Sequence, residues 1–236
     1  MQEIIQLSVF PMGMINCFLI KGQTKHILVD TGVPNSEKKI IKQLKNHDIK
    51  LEDIGLIIIT HGHIDHFGSA KELKDILKVP VLMHNLDKIA LETGKSMFET
   101  LKPNHKLWDI VLKPKLANDK ASSCLPDILL NENEEYDLSH YGIIGKIIHT
   151  PGHTPGSLSV VLGNGDAIIM DLASSGILLG GIILNSRMKH PPFHDNLEQV
   201  KSSINKILSL NTQKFYLGHG NPVSRKSLIN YRDNFL

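Results

Sequence analysis

The sequence predicts an α/β fold in which two similar halves lie face to face with helices outside, and one domain over residues 1–236 contains both halves. Short apolar runs of strand length alternate with longer segments that have the 3.6-residue period of amphipathic helices. Strands in both halves end in polar, glycine-bearing loops, so the halves resemble each other in plan. Apolar residues make up 41% of the 236 positions, which is enough for a substantial core.

The first half opens with the pattern of an antiparallel meander. Ile5, Leu7 and Val9 alternate with polar neighbours, and apolar runs follow at 17–20 and 26–29, with glycine-bearing turns between the segments. Alternation with period two is typical of strands that bury one face. We therefore predict three short strands before residue 30.

Two helices and two strands complete the first half. Asn35 or Ser36 can cap a helix whose isoleucines and leucine face the core while its lysines face solvent. The uninterrupted apolar run at 56–59 predicts a strand buried on both faces. A helix over 67–78 and a strand over 79–83 are predicted next, the strand with a proline near its start.

The range 93–135 is predicted to be an irregular insertion between the two halves. Its prolines interrupt any long helix, and its hydrophobic periodicity is poor. Long irregular loops in compact domains are usually functional or disordered, so an insertion here could act as a substrate lid. Three residues are candidate pocket walls, with simple hydrophobic anchoring as the alternative: Phe98, His105 and Trp108.

The second half repeats the plan of strands that feed loops at one edge. An Asn-Gly pair at 164–165 indicates a hairpin turn, and the apolar stripe between Leu197 and Leu208 indicates a helix. The apolar run at 177–184 is short and holds two glycines, so it is predicted to be a loop and not a membrane span. The other predicted elements are strands at 146–149, 158–162, 167–170 and 214–217, and a closing helix that begins at Ser224 or Ser227.

The clearest chemical signal follows the strand that is predicted to be buried on both faces. Four candidate ligands lie within six residues, namely His61, His63, Asp65 and His66. Gly62 leaves room where the backbone approaches a metal closely. A polar turn can carry two histidines for no chemical reason, but imidazoles and a carboxylate together suit zinc, iron or manganese. This stretch therefore predicts a metal site.

Three later segments each end an apolar run with a further candidate ligand. They are His153 in Thr-Pro-Gly-His-Thr-Pro-Gly, Asp171 after Ala-Ile-Ile-Met, and His219 in Tyr-Leu-Gly-His-Gly. Prolines that fix φ and glycines that permit tight turns surround His153, so its loop has little entropy to lose on metal binding. Asp30, in Asp-Thr-Gly at the end of the third strand, can be an ordinary turn residue on the residues alone.

The ordered motifs resemble the metallo-β-lactamase superfamily over nearly the whole chain, and its glyoxalase-II-like and lactonase-like branch more than the enzymes that hydrolyse antibiotics. The motifs are Asp30-Thr-Gly, Thr-His61-x-His63-x-Asp65-His66, Thr-Pro-Gly-His153, Asp171 and Gly-His219-Gly. The resemblance implies an αββα sandwich of two mixed β-sheets flanked by helices, with two metals at one edge. Met170 stands where the family often has glycine, which changes the backbone freedom there but leaves the ligand.

The resemblance also implies a role for each candidate ligand. His61, His63 and His153 would form the first metal site, Asp65, His66 and His219 the second, and Asp171 would bridge them. Two cations would lower the pKa of a shared water and produce a bridging hydroxide that attacks a carbonyl. The predicted catalytic residues are His63, Asp65 and Asp171, since Asp65 can both ligate a cation and orient the attacking oxygen. Asp30 would orient the loop that bears the histidines.

A dinuclear metal-dependent hydrolase that cleaves an ester, thioester or lactone of a small molecule is therefore the predicted function. The predicted cofactors are two divalent cations, zinc first, with iron or manganese as alternatives. An iron-dependent oxidoreductase of the sulfur dioxygenase type is the alternative function. Oxygen reduction is disfavoured because such proteins usually carry Glu where this chain has His63. Less favoured still are a β-lactamase, a phosphodiesterase and a non-catalytic metal-binding module.

Composition limits the partners of the protein. Lysine and arginine number 26 against 24 aspartates and glutamates, a balance that argues against nucleic acid and acidic membranes. Cys17 and Cys124 make no disulfide framework and the first residues lack a signal-peptide pattern, so we predict a cytoplasmic protein. A small-molecule substrate is expected, and a homodimer stays open. The sequence assigns no roles to the ranges 93–135 and 176–195 or to His84, His190 and His194.

Overall fold

The computed structural model describes residues 3–103, 106–111, 113–176 and 187–236. His105 and the predicted loop at 177–184 lie outside the described residues, and the side chains of Phe98 and Trp108 lie outside them too. The proposed wall roles of these three residues therefore stay predictions.

The first half of the described chain forms a six-stranded sheet whose strands lie in sequence order. The strands are β1 (Glu3–Ser8), β2 (Asn16–Lys21), β3 (His26–Val29), β4 (Ile54–Ile58), β5 (Val81–His84) and β6 (Ile128–Leu130). β1, β2 and β3 pair antiparallel, which confirms the predicted meander. β3 to β6 pair parallel, so the carboxyl ends of these strands meet at one edge of the sheet.

The second half of the described chain forms another six-stranded sheet and a two-stranded one. The strands are β7 (Glu135–Asp137), β8 (Gly145–His149), β9 (Leu158–Leu162), β10 (Asp166–Ile168), β11 (Ser174–Ser175), β12 (Met188–Lys189), β13 (Lys214–Tyr216) and β14 (Val223–Ser224). The larger sheet has the order β14-β13-β10-β9-β8-β7, and β11 pairs with β12. β9 and β10 pair antiparallel around Gly165, which has φ of 91°, so the predicted hairpin is confirmed.

Helices cover the outer faces of both large sheets. The described helices are α1 (Glu37–Asn46), α2 (Ile64–Phe67), α3 (Ala70–Leu77), α4 (Lys88–Thr93), α5 (Lys106–Val111), α6 (Lys113–Asn118), α7 (Leu197–Ser209) and α8 (Arg225–Phe235). Apolar residues of α1, α3 and α4 pack on the first sheet, and those of α7 and α8 pack on the second. α1 begins after Ser36, and α8 begins after Ser224, whose hydroxyl accepts a hydrogen bond from the Ser227 amide. None of the helices in the described ranges is long and apolar enough to cross a bilayer.

Three apolar clusters set the order of the layers. On β2, Phe18 and Ile20 pack between the two large sheets, whereas Cys17 and Leu19 pack on the side covered by α1 and α3. A third cluster lies between the second sheet and helices α7 and α8. The layers therefore run helix, sheet, sheet, helix, which confirms the predicted αββα sandwich. β4 is buried on both faces, as its apolar run predicts.

Two element boundaries differ from the predicted ones for local reasons. The helix predicted over 67–78 is interrupted, because the Gly68 amide donates to Gly32 O at 2.8 Å and leaves the helical ladder. A Cβ on Gly68 would lie 2.4 Å from Pro34 N, so this close approach needs glycine. The strand predicted over 167–170 ends at Ile168, and Met170 turns the chain with φ of 43°.

The range 93–135 is more regular than predicted. It contains the short helices α5 and α6, and strand β6 extends the first sheet by pairing parallel with β5. The pairing of a three-residue strand depends on a distant neighbour and leaves little periodic signal in the sequence. Pro114 is the second residue of α6, a position in the first turn where a helix tolerates proline.

The two cysteines are free and buried on the same side of the first sheet. Burial raises the pKa of the Cys17 thiol well above its ordinary value, which keeps it protonated and unreactive. The cytoplasmic location stays a prediction.

Candidate metal centre

All seven candidate ligands meet where the ends of strands from both sheets lie side by side. The segment from His61 to His66 follows β4, and His153 lies in the loop between β8 and β9. Asp171 lies in the turn after β10, and His219 follows β13. Six of the seven are buried and Asp65 is partly buried. Residues far apart in the sequence thus share one enclosed site.

The first group of candidate ligands consists of His61, His63 and His153. One ring nitrogen from each lies within 4.8 Å of the others, close enough to share a cation. His153 Nε2 and His63 Nδ1 are 3.0 Å apart. The His61 and His153 rings stand nearly perpendicular, with centroids 4.6 Å apart. Three imidazoles at such a spacing form a site of the kind that zinc takes in proteins.

Hydrogen bonds fix which nitrogen of His63 faces the group. The Thr100 hydroxyl donates to Met97 O at 2.7 Å and lies 2.8 Å from His63 Nε2. Since that hydroxyl proton is already used, the Thr100 oxygen accepts from His63 Nε2–H, and the lone pair falls on Nδ1. Thr100 lies in the range 93–135, and no motif in the sequence signalled this role.

A similar chain of hydrogen bonds orients His61. The Thr60 hydroxyl donates to Asp30 Oδ2 at 2.7 Å and accepts from His61 Nδ1 at 3.1 Å. His61 Nε2 is buried and has no hydrogen-bond partner in the described part of the chain. A buried nitrogen without a partner is costly in an apolar interior, whereas a cation would satisfy it.

The second group consists of Asp65, His66 and His219, whose ligand atoms also lie within 4.8 Å of one another. His66 Nδ1 donates to Asp30 Oδ2 at 2.8 Å, and His219 Nδ1 donates to Met14 O at 2.5 Å. Both rings therefore turn Nε2 toward Asp65, at 3.8 Å for His66 and 3.4 Å for His219. Carboxylate and backbone partners of this kind are typical of histidines that bind metals.

Asp171 lies between the two groups. Its Oδ2 atom is 3.5 Å from His153 Nε2 in the first group. The same atom is 3.1 Å from His219 Nε2 and 3.6 Å from His66 Nε2 in the second. Met170, just before it, holds a left-handed backbone while its side chain is buried between the sheets. Burial of this side chain offsets a conformation that glycine would adopt more easily.

Asp30 also lies near His61 and His66, so these three could be read as a third group. Its oxygens already accept from the Thr60 amide at 2.8 Å, from the Thr60 hydroxyl and from His66 Nδ1. A carboxylate with these partners holds other ligands in place. Of its two interpretations in the sequence, the geometry favours the orienting role over the ordinary turn residue.

The electrostatics differ between the two groups. Burial lowers the pKa of His63 to about 4 and that of His153 to about 3, so both rings are neutral and have free lone pairs at pH 7. Burial also opposes protonation of His219, but Asp171 and Asp65 outweigh it and raise the pKa of His219 to about 10. The second group thus gathers negative charge that a proton or a metal cation must balance.

The described residues enclose a cavity of about 180 Å³ beside the two groups. Asp65, His63 and Asp171 lie on its polar side. Its apolar side includes Phe10, Ile15, Val33, Pro34 and Phe193, and Lys115 and Asp119 of the α6 region also line it. The range 176–195 therefore contributes Phe193 to the apolar wall, and the range 93–135 contributes the charged side chains of Lys115 and Asp119.

His84, His190 and His194 do not join the two groups. The His84 ring stacks on His149 with centroids 4.0 Å apart, and His84 Nδ1 accepts from the Leu86 amide. His190 Nδ1 and the Tyr231 hydroxyl are 2.8 Å apart, and the His194 amide donates to Lys102 O. His84 is thus a packing and capping residue.

The stacked pair of His84 and His149 makes a prediction about stability and pH. Burial, and then His149, lower the pKa of His84 to about 4, while the unfolded chain has a value near 6.5. The unfolded state therefore binds more protons between these values, and stability falls as pH drops through this window. We expect the wild type to lose about 1 to 2 kcal/mol more than His84→Asn between pH 7 and pH 5.

Urea unfolding of both metal-free proteins at the two pH values checks this expectation. The candidate metal ligands titrate alike in the two proteins, so the difference isolates His84. An equal loss of unfolding free energy between pH 7 and pH 5 in wild type and variant would contradict the role of His84. Glu134 is an acidic group near the pair that raises the pKa of His84, and the value of about 4 already includes this effect.

Comparison with known proteins agrees with this geometry. The family model of the metallo-beta-lactamase superfamily matches residues 11–219. The chain belongs to the metallo-β-lactamase superfamily. This confirms the family predicted from the motifs, and the structure brings all of those motifs together at one site.

Two relatives of the chain are named as hydrolases, one of them as a probable metallo-hydrolase. "Probable metallo-hydrolase YflN" of Bacillus subtilis is 29% identical over 215 residues, which cover 85% of this chain and 77% of that protein. "Hydroxyacylglutathione hydrolase GloC" of Haemophilus influenzae is 30% identical over 160 residues, or 67% of this chain and 65% of GloC. The metallo-β-lactamase superfamily protein ST1585 from Sulfolobus tokodaii superposes with a TM-score of 0.69 at 22% identity, over 99% of this chain and 86% of that one.

Proposed function

We propose that this protein is a hydrolase that uses two divalent cations, zinc first, to cleave an ester, thioester or lactone bond of a small molecule. The position of Asp171 carries the proposal, because its Oδ2 atom lies within 3.6 Å of nitrogens from both three-residue groups. One carboxylate between two ligand groups is suited to a pair of cations that share it. The unpartnered Nε2 atoms of His61 and His66 fit the same interpretation.

Divalent cations bound in such a pair supply a Lewis acid for a carbonyl oxygen and make water acidic enough to react at neutral pH. The chain's own residues supply the rest. His61, His63 and His153 offer neutral imidazoles at pH 7, since burial lowers the pKa of each. Asp65 faces the cavity and can hold a water molecule and its proton by hydrogen bonding. Hydrogen bonds from the rings to Thr100 and Asp30 fix the orientation of His63 and His66, respectively.

The size and lining of the cavity favour a compact substrate. Phe10, Val33 and Phe193 offer apolar surface, and the volume of about 180 Å³ suits a short acyl group. Glutathione carries two carboxylates, whereas Lys115 stands beside the carboxylate Asp119 in the described lining. The name of GloC supports the thioester class. We therefore favour a compact thioester, ester or lactone over one as long as a glutathione conjugate.

A substrate panel on purified protein tests this function. Short thioesters such as S-acetyl-N-acetylcysteamine, a glutathione thioester, lactones, aryl esters and β-lactams are assayed after loading with zinc, manganese or iron. We expect turnover of a short thioester, ester or lactone, and weaker turnover of the glutathione conjugate. Metal-loaded protein that is inert on the whole panel would contradict the proposal. Activity that requires iron and oxygen would point to the oxidoreductase alternative.

A further inference from the structure

Asp87 is a fully buried carboxylate that belongs to neither ligand group. It ends the short turn Asn85–Asp87 between β5 and α4. Its oxygens accept three hydrogen bonds, from the Gly62 amide at 2.8 Å, the Thr154 hydroxyl at 2.6 Å and the Gly156 amide at 2.8 Å. Burial raises the pKa of Asp87, and these three donors oppose the rise because no Lys or Arg pairs with the carboxylate in the described part of the chain.

The three donors come from the two segments that carry the first group. Gly62 lies between His61 and His63, after a strand of the first sheet. Thr154 and Gly156 follow His153 in a loop of the second sheet. One carboxylate thus connects the two sheets at the point where these three imidazoles meet.

The surrounding chain fits closely around this carboxylate. A Cβ on Gly156 would lie 2.5 Å from Asp87 Oδ1, so any other residue there would push the loop away. A Cβ on Gly62 would lie 3.0 Å from the Ala90 Cβ on α4, the helix that follows Asp87. The glycines of both ligand loops therefore allow the approach that the three hydrogen bonds require.

The second group does not depend on these contacts. His66 is held by Asp30, and His219 by Met14 O. None of the hydrogen bonds of Asp87 reaches Asp65, His66 or His219. Substitution of Asp87 should therefore weaken cation binding by the first group and leave cation binding by the second group unchanged.

We propose that Asp87 is a positioning residue that sets the distance of His153 from His61 and His63, and thereby the affinity of this group for a cation. This inference rests on the proposed two-cation function. Outer groups of this kind typically change metal affinity by about 10- to 100-fold. Asp87 acts through the ligand loops and is not among the residues that line the cavity.

The test compares zinc binding in wild type, Asp87→Ala and Asp87→Asn by chelator competition and elemental analysis, with the visible spectrum of the cobalt-loaded protein as a second readout. We expect Asp87→Ala to bind one cation as tightly as wild type and the other about 10- to 100-fold more weakly. Asp87→Asn keeps the volume and part of the acceptor capacity, so it should lie between the two. It also carries the test if the alanine variant does not fold.

Leu44→Ala is the matched control, because Leu44 is buried on α1 away from both groups. It should lower thermal stability without changing either zinc affinity or the cobalt spectrum. Two unchanged zinc affinities in the Asp87 variants would overturn the positioning role and leave the two-cation proposal intact. A wild type that binds no cation would overturn both, so the two failures are distinguishable.

Discussion

Asp171→Asn is expected to bind neither cation stoichiometrically and to lose at least about 10³-fold in turnover of the best substrate, since a loss of about 4 kcal/mol in transition-state stabilisation has this size. The carboxylate Oδ2 lies 3.1 Å from His219 Nε2 and 3.5 Å from His153 Nε2. An amide of the same shape removes the negative charge that both groups share. Both ligand groups should therefore lose their affinity for a cation in this variant.

Elemental analysis after dialysis against buffered zinc, with turnover measured on the same sample, checks this result. Asp48→Asn is the matched control, because Asp48 is exposed and its φ of 57° is a conformation that asparagine tolerates well. The control should retain wild-type metal content and activity. An Asp171→Asn protein that still holds two equivalents of zinc would reject the shared role of this carboxylate.

The ligands could be predicted from the sequence because each segment that carries them follows closely after an apolar run. A run such as 56–59 specifies a buried strand by itself, and the residues just beyond its end must lie at an edge of the sheet. His153, Asp171 and His219 follow the same rule in the second half. The repeated plan of strands and loops predicted two halves face to face, and the resemblance added the αββα arrangement of two mixed sheets, since periodicity alone does not reveal which strands are neighbours.

The residues that hold the ligands could not be predicted in the same way. Thr100 and Asp87 have no pattern around them, and each acts on residues more than twenty positions away. Their roles follow from how the chain between β5 and β6 packs on the ligand loops. The break at Gly68 is similar, because its cause is a hydrogen bond to Gly32 in another loop.

Two buried carboxylates explain why the site is rigid. Asp30 connects the end of β3 to Thr60 and His66, and Asp87 connects the turn after β5 to the loops of His61 and His153. β3 and β5, the two neighbours of β4, are thus each followed by one buried carboxylate that accepts hydrogen bonds from the loop after β4. Such preorganisation lowers the entropic cost of gathering the imidazoles around a cation.

His63→Ala is expected to lose one cation and to retain the other, unlike the change at Asp171. His63 offers Nδ1 to the first group, and its side-chain hydrogen bonds in the described part of the chain go to Thr100 and His153, not to the second group. We expect turnover to fall by about 10²- to 10³-fold, because one of the two sources of charge stabilisation, worth about 3 to 4 kcal/mol, is removed.

Metal content and turnover measured on one preparation separate this result from unfolding, provided that circular dichroism shows a wild-type spectrum. His47→Ala serves as control, since His47 is exposed at the end of α1 and far from the ligand loops. A His63→Ala protein with unchanged metal content would remove His63 from the ligand set. Loss of both cations would instead mean that the second group needs the first in order to form, and the independence inferred from its separate partners, Asp30 and Met14, would be wrong.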